Sequence, residues 1–210
     1  MKTKKGITLG DMEFPQVMEF ARGLPPSDVI VSVVGGNHHQ TFTLAQHRVG
    51  FRLLGAADRP PPDDGLTVLP RAQARAVIAD LMHKELVRLT RLRRAFGGRL
   101  LHLFSPPPRE HAEDLLRART TGPLITMMRE CGVSPAPLRM ESWLVQCEVL
   151  REHLKGTAIS FVEPPQGARS ADGFLLRPYQ SDDATHANAA YGALALVKIY
   201  NDLRLLGPPL

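Results

Sequence analysis

Residues 29–34, with the sequence Val-Ile-Val-Ser-Val-Val, constrain the fold of this chain more than any other stretch. Apart from Ser32 the run consists of β-branched apolar residues, and it lies between Pro26 and Gly35. A nearly continuous run of this kind is typical of a strand that is buried on both faces, which is the usual position of a strand in a parallel sheet. The sequence therefore predicts an α/β protein.

Two further apolar runs, at residues 99–104 and 158–162, have the same character. A short strand is also predicted at residues 6–9, whereas residues 40–70 are rich in Pro, Gly and Asp and show no sustained period. Amphipathic spacing predicts helices at residues 14–24, 71–96, 115–131 with a break near Gly122, 138–154 and 188–206. Apolar strands separated by helices predict a three-layer α/β/α domain.

The composition limits the classes of protein to which the chain can belong. At 210 residues the chain is long enough to bury a substantial core, and residues 1–210 are interpreted as a single domain. Its net charge of +5 comes from basic residues spread along the chain, aromatic residues make up only 6%, and no nucleic-acid recognition motif is present, so no nucleic-acid partner is expected. A nucleotide-binding protein is disfavoured because no Gly-rich phosphate loop follows the first strand.

The cysteines and the N-terminus bear on the cellular location. Cys131 and Cys147 are the only cysteines, and they have neither Cys-x-x-Cys nor zinc-ligand spacing. The basic N-terminus lacks an apolar leader, with Asp11 and Glu13 following at once, and no run is long enough to span a bilayer. These features predict a reduced, cytoplasmic protein without a membrane span.

The segment from Ser181 to Gly192 contains the most informative polar motif. Asp183 precedes His186 by three residues on a loop that enters the last predicted helix. In this arrangement the carboxylate can orient the imidazole and stabilise its charged form, while the other ring nitrogen faces a cleft as a general base. The alternative is a polar cap, in which Asp183 or Thr185 closes the helix N-terminus and His186 lies on the surface.

A second polar group follows the first long strand, where Gly36 leads into Asn37. Ligands of open α/β sheets bind beyond the carboxyl ends of the strands, and the right-handed crossover rule places those ends at one edge. Asn37 and His186 are therefore expected to meet there, with the Asn37 amide donating to a developing oxyanion. The alternative is an ordinary Gly-Gly turn. The adjacent His38 and His39 lack a third ligand, and no metal site is expected.

Together these motifs resemble the SGNH/GDSL hydrolase superfamily. Gly35-Gly36-Asn37 is similar to the block that supplies an oxyanion-hole asparagine, and Asp183-Ala184-Thr185-His186, with Asn188 and the Ala-Tyr-Gly after it, is similar to the block with the catalytic Asp and His. The resemblance covers about residues 28–196. It implies a flavodoxin-like, mostly parallel sheet and cofactor-free hydrolysis of esters, including acyl or acetyl groups on lipids and sugars. His186 would be the general base, Asp183 its orienting carboxylate, and Asn37 with the Gly36 backbone the oxyanion donors.

The nucleophile that this resemblance implies is missing. The family places its serine in a Gly-Asp-Ser block after the first strand, whereas this chain has Gly10-Asp11-Met12, and a thioether cannot form an acyl-enzyme. Two explanations are open: the chain lacks an N-terminal strand together with the nucleophile block, or it is a degenerate, non-catalytic member. The spacing favours the first, because Gly10 precedes Asn37 by less than two strand–helix units.

No other side chain is expected to replace that serine. Ser105 is held in an extended loop by three prolines, Ser32 lies within a strand, Ser181 lies too close to the Asp–His motif, and both cysteines lie in predicted helices as core residues. We therefore expect an ester hydrolase domain, inactive or nearly so as this chain, that recognises a small-molecule ester or acylated carbohydrate. The alternative is a non-catalytic module that binds an acylated or sugar ligand in its cleft. The oligomeric state is not predicted.

Overall fold

A computed structural model of the chain describes residues 2–4, 7–9, 12–54, 65–117, 119 and 122–205. Within these ranges the strands are β1 Lys2–Lys4, β2 Ile7–Leu9, β3 Val29–Ser32, β4 Phe51–Leu54, β5 Thr67–Pro70, β6 Arg99–Leu103 and β7 Ile159–Val162. The helices are α1 Phe14–Gly23, α2 His38–Thr43, α3 Arg71–Leu81, α4 His83–Ala95, α5 Ala112–Leu116, α6 Pro123–Cys131, α7 Ala136–His153 and α8 Ala189–Leu205. None of these helices is both long enough and apolar enough to cross a membrane.

The three apolar runs of the sequence form one parallel sheet. Its described strands lie in the order β3-β6-β7, and the register aligns Ile30 with Leu100 and Leu100 with Ile159. Short two-stranded sheets join β1 to β2 and β4 to β5. The predicted α/β class with a parallel sheet covered by helices is therefore confirmed.

Helices cover the two faces of the sheet unequally. On one face Leu100, Phe104 and Ile159 belong to a large core that includes buried residues of α1, α3, α4 and α7. On the other face Leu101 and Val162 pack against Ile199 of α8. Helix α8 does not cover β3. On that face the side chains of the strand and of the residue after it remain exposed: Val29 at 37%, Val31 at 38% and Val33 at 69%.

The structure divides one predicted helix and contains two strands that were not predicted. The helix predicted across residues 71–96 is two helices, α3 and α4, which separate at Met82. The interruption is one residue long, because Met82 N–H still donates to the Ile78 carbonyl and the Leu86 N–H to the Met82 carbonyl, each at 3.0 Å. Helix α3 packs mainly on α7 and α4 on α1, and the Met82 side chain is buried in the core. Residues 40–70, in which the sequence shows no sustained period, contribute to α2 and contain β4 and β5. Residues 55–64, most of the proline-rich stretch, lie outside the described residues, as do Gly10 and Asp11.

Candidate functional site

The site forms beyond the carboxyl ends of the parallel strands. Strand β3 leads through Val33–Gly36 to Asn37, which directly precedes α2, and the segment after β7 reaches His186 before α8 begins. Asn37 and His186 are 149 residues apart in the sequence, yet Asn37 Nδ2 lies 3.4 Å from His186 Nε2. The sheet topology thus brings together the two polar groups that the crossover rule places at one edge.

Asp183 and His186 form a carboxylate–imidazole pair. His186 Nδ1 lies 2.9 Å from Asp183 Oδ2, while Asp183 Oδ1 accepts the backbone N–H groups of Thr185 and His186, each at 2.7 Å. Because the carboxylate oxygen can only accept, Nδ1 carries the ring proton and Nε2 keeps its lone pair. The pair is therefore arranged as a base, with its Nε2 directed towards the Asn37 amide.

The alternative interpretation of Asp183 and Thr185 as helix caps is wrong. Helix α8 begins at Ala189, and its N-terminal cap is Asn188, whose Oδ1 accepts the backbone N–H of Tyr191 at 3.2 Å. The Asn188 amide also donates to the carbonyls of Pro178 and Gln180, which anchors the start of α8 to the preceding loop. With the cap supplied by Asn188, the Asp183 carboxylate is free to hold the imidazole.

Local hydrogen bonds keep Asp183 charged. Partial burial alone would raise the pKa of its carboxyl group, but the N–H groups of Thr185 and His186, together with the His186 ring, lower that pKa from 3.8 to about 2. The same carboxylate is only 26% exposed, whereas the His186 side chain is 65% exposed. The orienting group is thus held within the protein while the ring that it orients is open to solvent.

The loop that leads from β3 to Asn37 requires glycine at positions 35 and 36. Gly36 has a φ of +132°, and a Cβ there would lie 3.1 Å from the Ser105 Cβ. Gly35 has a φ of +78°, and a Cβ there would lie 2.9 Å from the Glu85 Cγ. A side chain at either position would be strained by the backbone and crowded by its neighbour. Both glycines therefore let the β3–α2 loop run close to the segment after β6 and to α4, and so set the position of Asn37.

Arg109 holds the loop of residues 181–186, here called the dyad loop because it contains Asp183 and His186. Its guanidinium donates to the carbonyls of Asp114, Ser181, Asp183 and His186, with the Ser181 contact at 2.9 Å. The side chain is buried, and burial lowers the pKa of its guanidinium although Asp183 and Asp114 oppose that change. A single cation thus holds both ends of the Asp183–His186 turn through backbone oxygens.

A second buried cation, Arg139 of α7, supports the first. Arg139 donates to the carbonyls of Arg109, at 2.8 Å, Glu110, at 2.6 Å, and Ser134. Burial lowers the pKa of its guanidinium to about 10. The two arginines therefore connect α7 to the dyad loop by way of the segment after β6.

Gln146 performs the equivalent role for the Asn37 loop. Its Oε1 accepts the backbone N–H of His39 at 2.9 Å, and its Nε2 donates to the Gly36 carbonyl at 2.8 Å and to Ser105 Oγ at 3.2 Å. Sequence reasoning missed Gln146, Arg109 and Arg139. Two of them could have been noticed in the sequence of α7, because Arg139 and Gln146 are polar residues that each stand between two apolar neighbours.

The alternative nucleophiles do not contact the imidazole. Ser105 Oγ accepts from Trp143 Nε1 and from Gln146 Nε2, each at 3.2 Å, whereas Ser32 Oγ and Ser181 Oγ accept nearby backbone N–H groups. Burial raises the pKa of the Cys147 thiol to about 12, which suits a core residue. Cys131, predicted in the core, is exposed at the end of α6. Within the described residues, His186 Nε2 has Asn37 as its hydrogen-bonding neighbour and no hydroxyl or thiol.

The two adjacent histidines point to different partners. His38 Nε2 lies 3.4 Å from Glu85 Oε2, whereas His39 is fully buried and its Nδ1 lies 3.2 Å from Gln146 Oε1. Across the described ranges, no group of three or more His, Cys, Asp or Glu side chains is placed to hold a metal ion. His38 and His39 therefore support the β3–α2 loop through separate contacts.

Comparison with known proteins gives no family for this chain. No family model matches it, and no curated protein matches it significantly. The likeness to SGNH hydrolases thus stays a prediction that depends on the residues described above.

Proposed function

We propose that the chain is an SGNH-like ester hydrolase domain in which His186 is the general base, Asp183 orients it, and Asn37 with the Gly36 backbone stabilises an oxyanion. The observation that supports this function best is the pair of contacts on one imidazole: Asp183 Oδ2 at 2.9 Å from Nδ1 and Asn37 Nδ2 at 3.4 Å from Nε2. A base and an amide donor that face the same space suit acyl transfer.

In this proposal the ester carbonyl displaces the contact between Asn37 Nδ2 and His186 Nε2 and lies within reach of both side chains. His186 Nε2 accepts a proton from the attacking water as the water oxygen bonds to the ester carbonyl carbon, and the imidazolium returns that proton to the leaving alkoxide when the ester C–O bond breaks. The imidazolium is stabilised by the adjacent Asp183 carboxylate, which remains ionised at neutral pH because its pKa is about 2. The Asn37 amide donates to the carbonyl oxygen as negative charge develops on it. The substrate class is a small-molecule ester or an acylated carbohydrate.

The proposal includes weak activity for this chain. No serine, threonine or cysteine of the described residues lies at His186 Nε2, so water is the nucleophile available to the base. Water activated by a single general base reacts with an activated ester far more slowly than an acyl-enzyme forms in a complete triad, since general-base catalysis alone contributes about 10²- to 10⁴-fold.

Hydrolysis of p-nitrophenyl acetate tests these roles. We expect slow, protein-dependent release of p-nitrophenol that His186→Ala abolishes and that Asp183→Asn reduces about tenfold or more. Asparagine has no charge to stabilise the imidazolium, and with its Oδ1 still accepting the backbone N–H groups of Thr185 and His186 it presents its NH₂ group to Nδ1. The matched control is His83→Ala, which removes an exposed histidine at the start of α4 and should leave the rate unchanged. An equal loss in His83→Ala would mean unspecific imidazole catalysis.

Two other results would change the assignment. Rapid turnover that His186→Ala abolishes would show that a nucleophile is present, and rapid turnover that survives this substitution would remove the dyad from the mechanism. If no turnover is found but an acetylated sugar raises the melting temperature at saturating concentration, the alternative of a non-catalytic binding module gains support. The exposed His186 ring, whose Nε2 has no serine, threonine or cysteine neighbour among the described residues, favours that alternative as the second candidate.

A further inference from the structure

Helix α8 is apolar on its outward side as well as on the side that packs against the sheet. Its inner side includes Tyr191, Ala195 and Ile199, whose exposures lie between 3% and 7%. From Ala189 to Val197 the helix contains no charged residue. A surface helix normally has charged and polar residues on its solvent side, whereas a helix that is apolar all round is normally covered on both sides. Within the described residues, α8 has a cover on its inner side alone.

The outward side of α8 presents a stripe formed by Ala190, Ala193, Val197 and Tyr200. All four residues are exposed, Val197 at 59% and Tyr200 at 61%. Their intervals of three, four and three residues place them on one side of the helix. Ala193 and Val197 each lie two positions from the buried Ala195, a rotation of about 200°. The stripe therefore points away from the sheet.

The stripe is complementary to itself in an antiparallel arrangement. Its spacing is the same when read from either end, so a two-fold axis can set Ala190 against Tyr200 of a second copy and Ala193 against Val197 of that copy. Each contact then joins an alanine to a larger side chain, which fills the space that the alanine leaves between the two helices. A parallel arrangement would set alanine against alanine and tyrosine against tyrosine, so that successive layers of the contact would be loose or crowded.

We propose that the chain forms a homodimer in which this stripe packs antiparallel against the same stripe of a second copy, independently of any hydrolytic activity. The 17 residues of α8 span about 25 Å, and their outward half, which includes Leu196 at 68% exposure, presents on the order of 500 Å² of accessible surface. Two such surfaces bury about 1,000 Å², near the lower limit for a specific interface, so the dimer is weak. A membrane surface is disfavoured as the occupant, because Lys198 on the flank is paired with Asp202 at 3.0 Å, whereas amphipathic helices that bind membranes present free basic residues.

Sedimentation velocity of the whole chain, at concentrations from about 1 µM to about 500 µM, tests this association. We expect the mean mass to rise from that of one chain towards that of two as the concentration increases. Val197→Glu sets a carboxylate against Ala193 of the second copy and should raise the dissociation constant roughly tenfold or more, because the charge would be desolvated without a partner. The matched control is Val33→Glu, at the 69% exposed valine after β3, which should leave the constant unchanged. A chain that stays monomeric throughout this range, or a dimer that Val33→Glu weakens and Val197→Glu does not, would overturn the proposal.

A pair of substitutions tests the antiparallel register. Tyr200→Glu alone should weaken the dimer, and adding Ala190→Lys should restore at least part of the affinity, because the antiparallel arrangement brings each lysine to a glutamate of the second copy. The two positions are ten residues apart in α8, so the new side chains cannot pair within one helix. In a parallel dimer the second substitution would set like charges together and weaken the association further, and that result would contradict the proposed arrangement.

Discussion

Lowering the pH from 7 to 4 is expected to reduce the free energy of unfolding by roughly 6 kcal/mol. The cause is a pair of buried histidines, His39 and His102, because burial lowers the pKa of each from 6.5 to about 4. Between these values the unfolded chain binds protons that the folded chain does not bind. Their stabilising contribution is therefore complete above pH 6.5 and is lost as the pH falls towards 4, with about 3 kcal/mol for each histidine.

Urea denaturation at several pH values between 7 and 4 measures this loss. His102→Leu should remove about half of it, because the leucine does not titrate and can pack against Phe104 and Phe161. His83→Leu, at an exposed position, should keep the full pH dependence of the parent protein. A free energy of unfolding that stays constant from pH 6.5 to 4 would show that neither histidine is buried in its neutral form.

The Asp183 carboxyl group acts in a separate, more acidic window. Its pKa is lowered from 3.8 to about 2, so its stabilising effect is present above 3.8 and is lost as the pH falls towards 2. The loss expected between pH 6.5 and 4 therefore reports the buried histidines and leaves the dyad carboxylate ionised.

Replacing Arg109 by methionine is expected to destabilise the chain by about 3 kcal/mol and to release the dyad loop. The substitution keeps an unbranched apolar stem but leaves four backbone carbonyls without their charged donor, and an unsatisfied buried acceptor costs about 1–3 kcal/mol. Because three of these carbonyls belong to residues 181–186, the geometry of the Asp183–His186 pair should be lost together with the stability.

The measurement combines urea denaturation with the NMR signals of the His186 ring. In Arg109→Met the His186 ring should lose the slowly exchanging Nδ1 proton that the contact with Asp183 protects. Arg177→Met is the matched control, since Arg177 pairs with Glu113 and Asp114 close by but is exposed, and exposed ion pairs contribute little. An intact Nδ1 signal in Arg109→Met would mean that the loop holds its shape without the guanidinium.

The sequence predicted the sheet and the meeting of Asn37 with His186 for one physical reason. Unbroken apolar runs mark strands that are buried on both faces, and parallel strands joined by helices place their carboxyl ends together. Two polar motifs that each follow such a strand must then lie at one edge, even across 149 residues. The contact between them could therefore be predicted without knowing the structure of the residues in between.

The supports of the site could not be predicted in this way. Arg109 acts on backbone carbonyls, which every residue has, so its partners at Ser181 and His186 leave no pattern in the sequence. The break at Met82 was hidden because the apolar spacing continues through both α3 and α4. Strands β4 and β5 were missed because they flank a stretch rich in Pro, Gly and Asp and lack the continuous run of β-branched apolar residues that marks β3.

The exposed valines of β3 and of the residues directly after it determine how the chain should behave during purification. Val29, Val31 and Val33 form an apolar row that α8 leaves open to water. Salts such as sulfate are excluded from protein surfaces and strengthen contacts between apolar groups. We therefore expect the protein to bind a phenyl resin through this row when the sulfate concentration is raised, and to elute when the sulfate concentration is lowered.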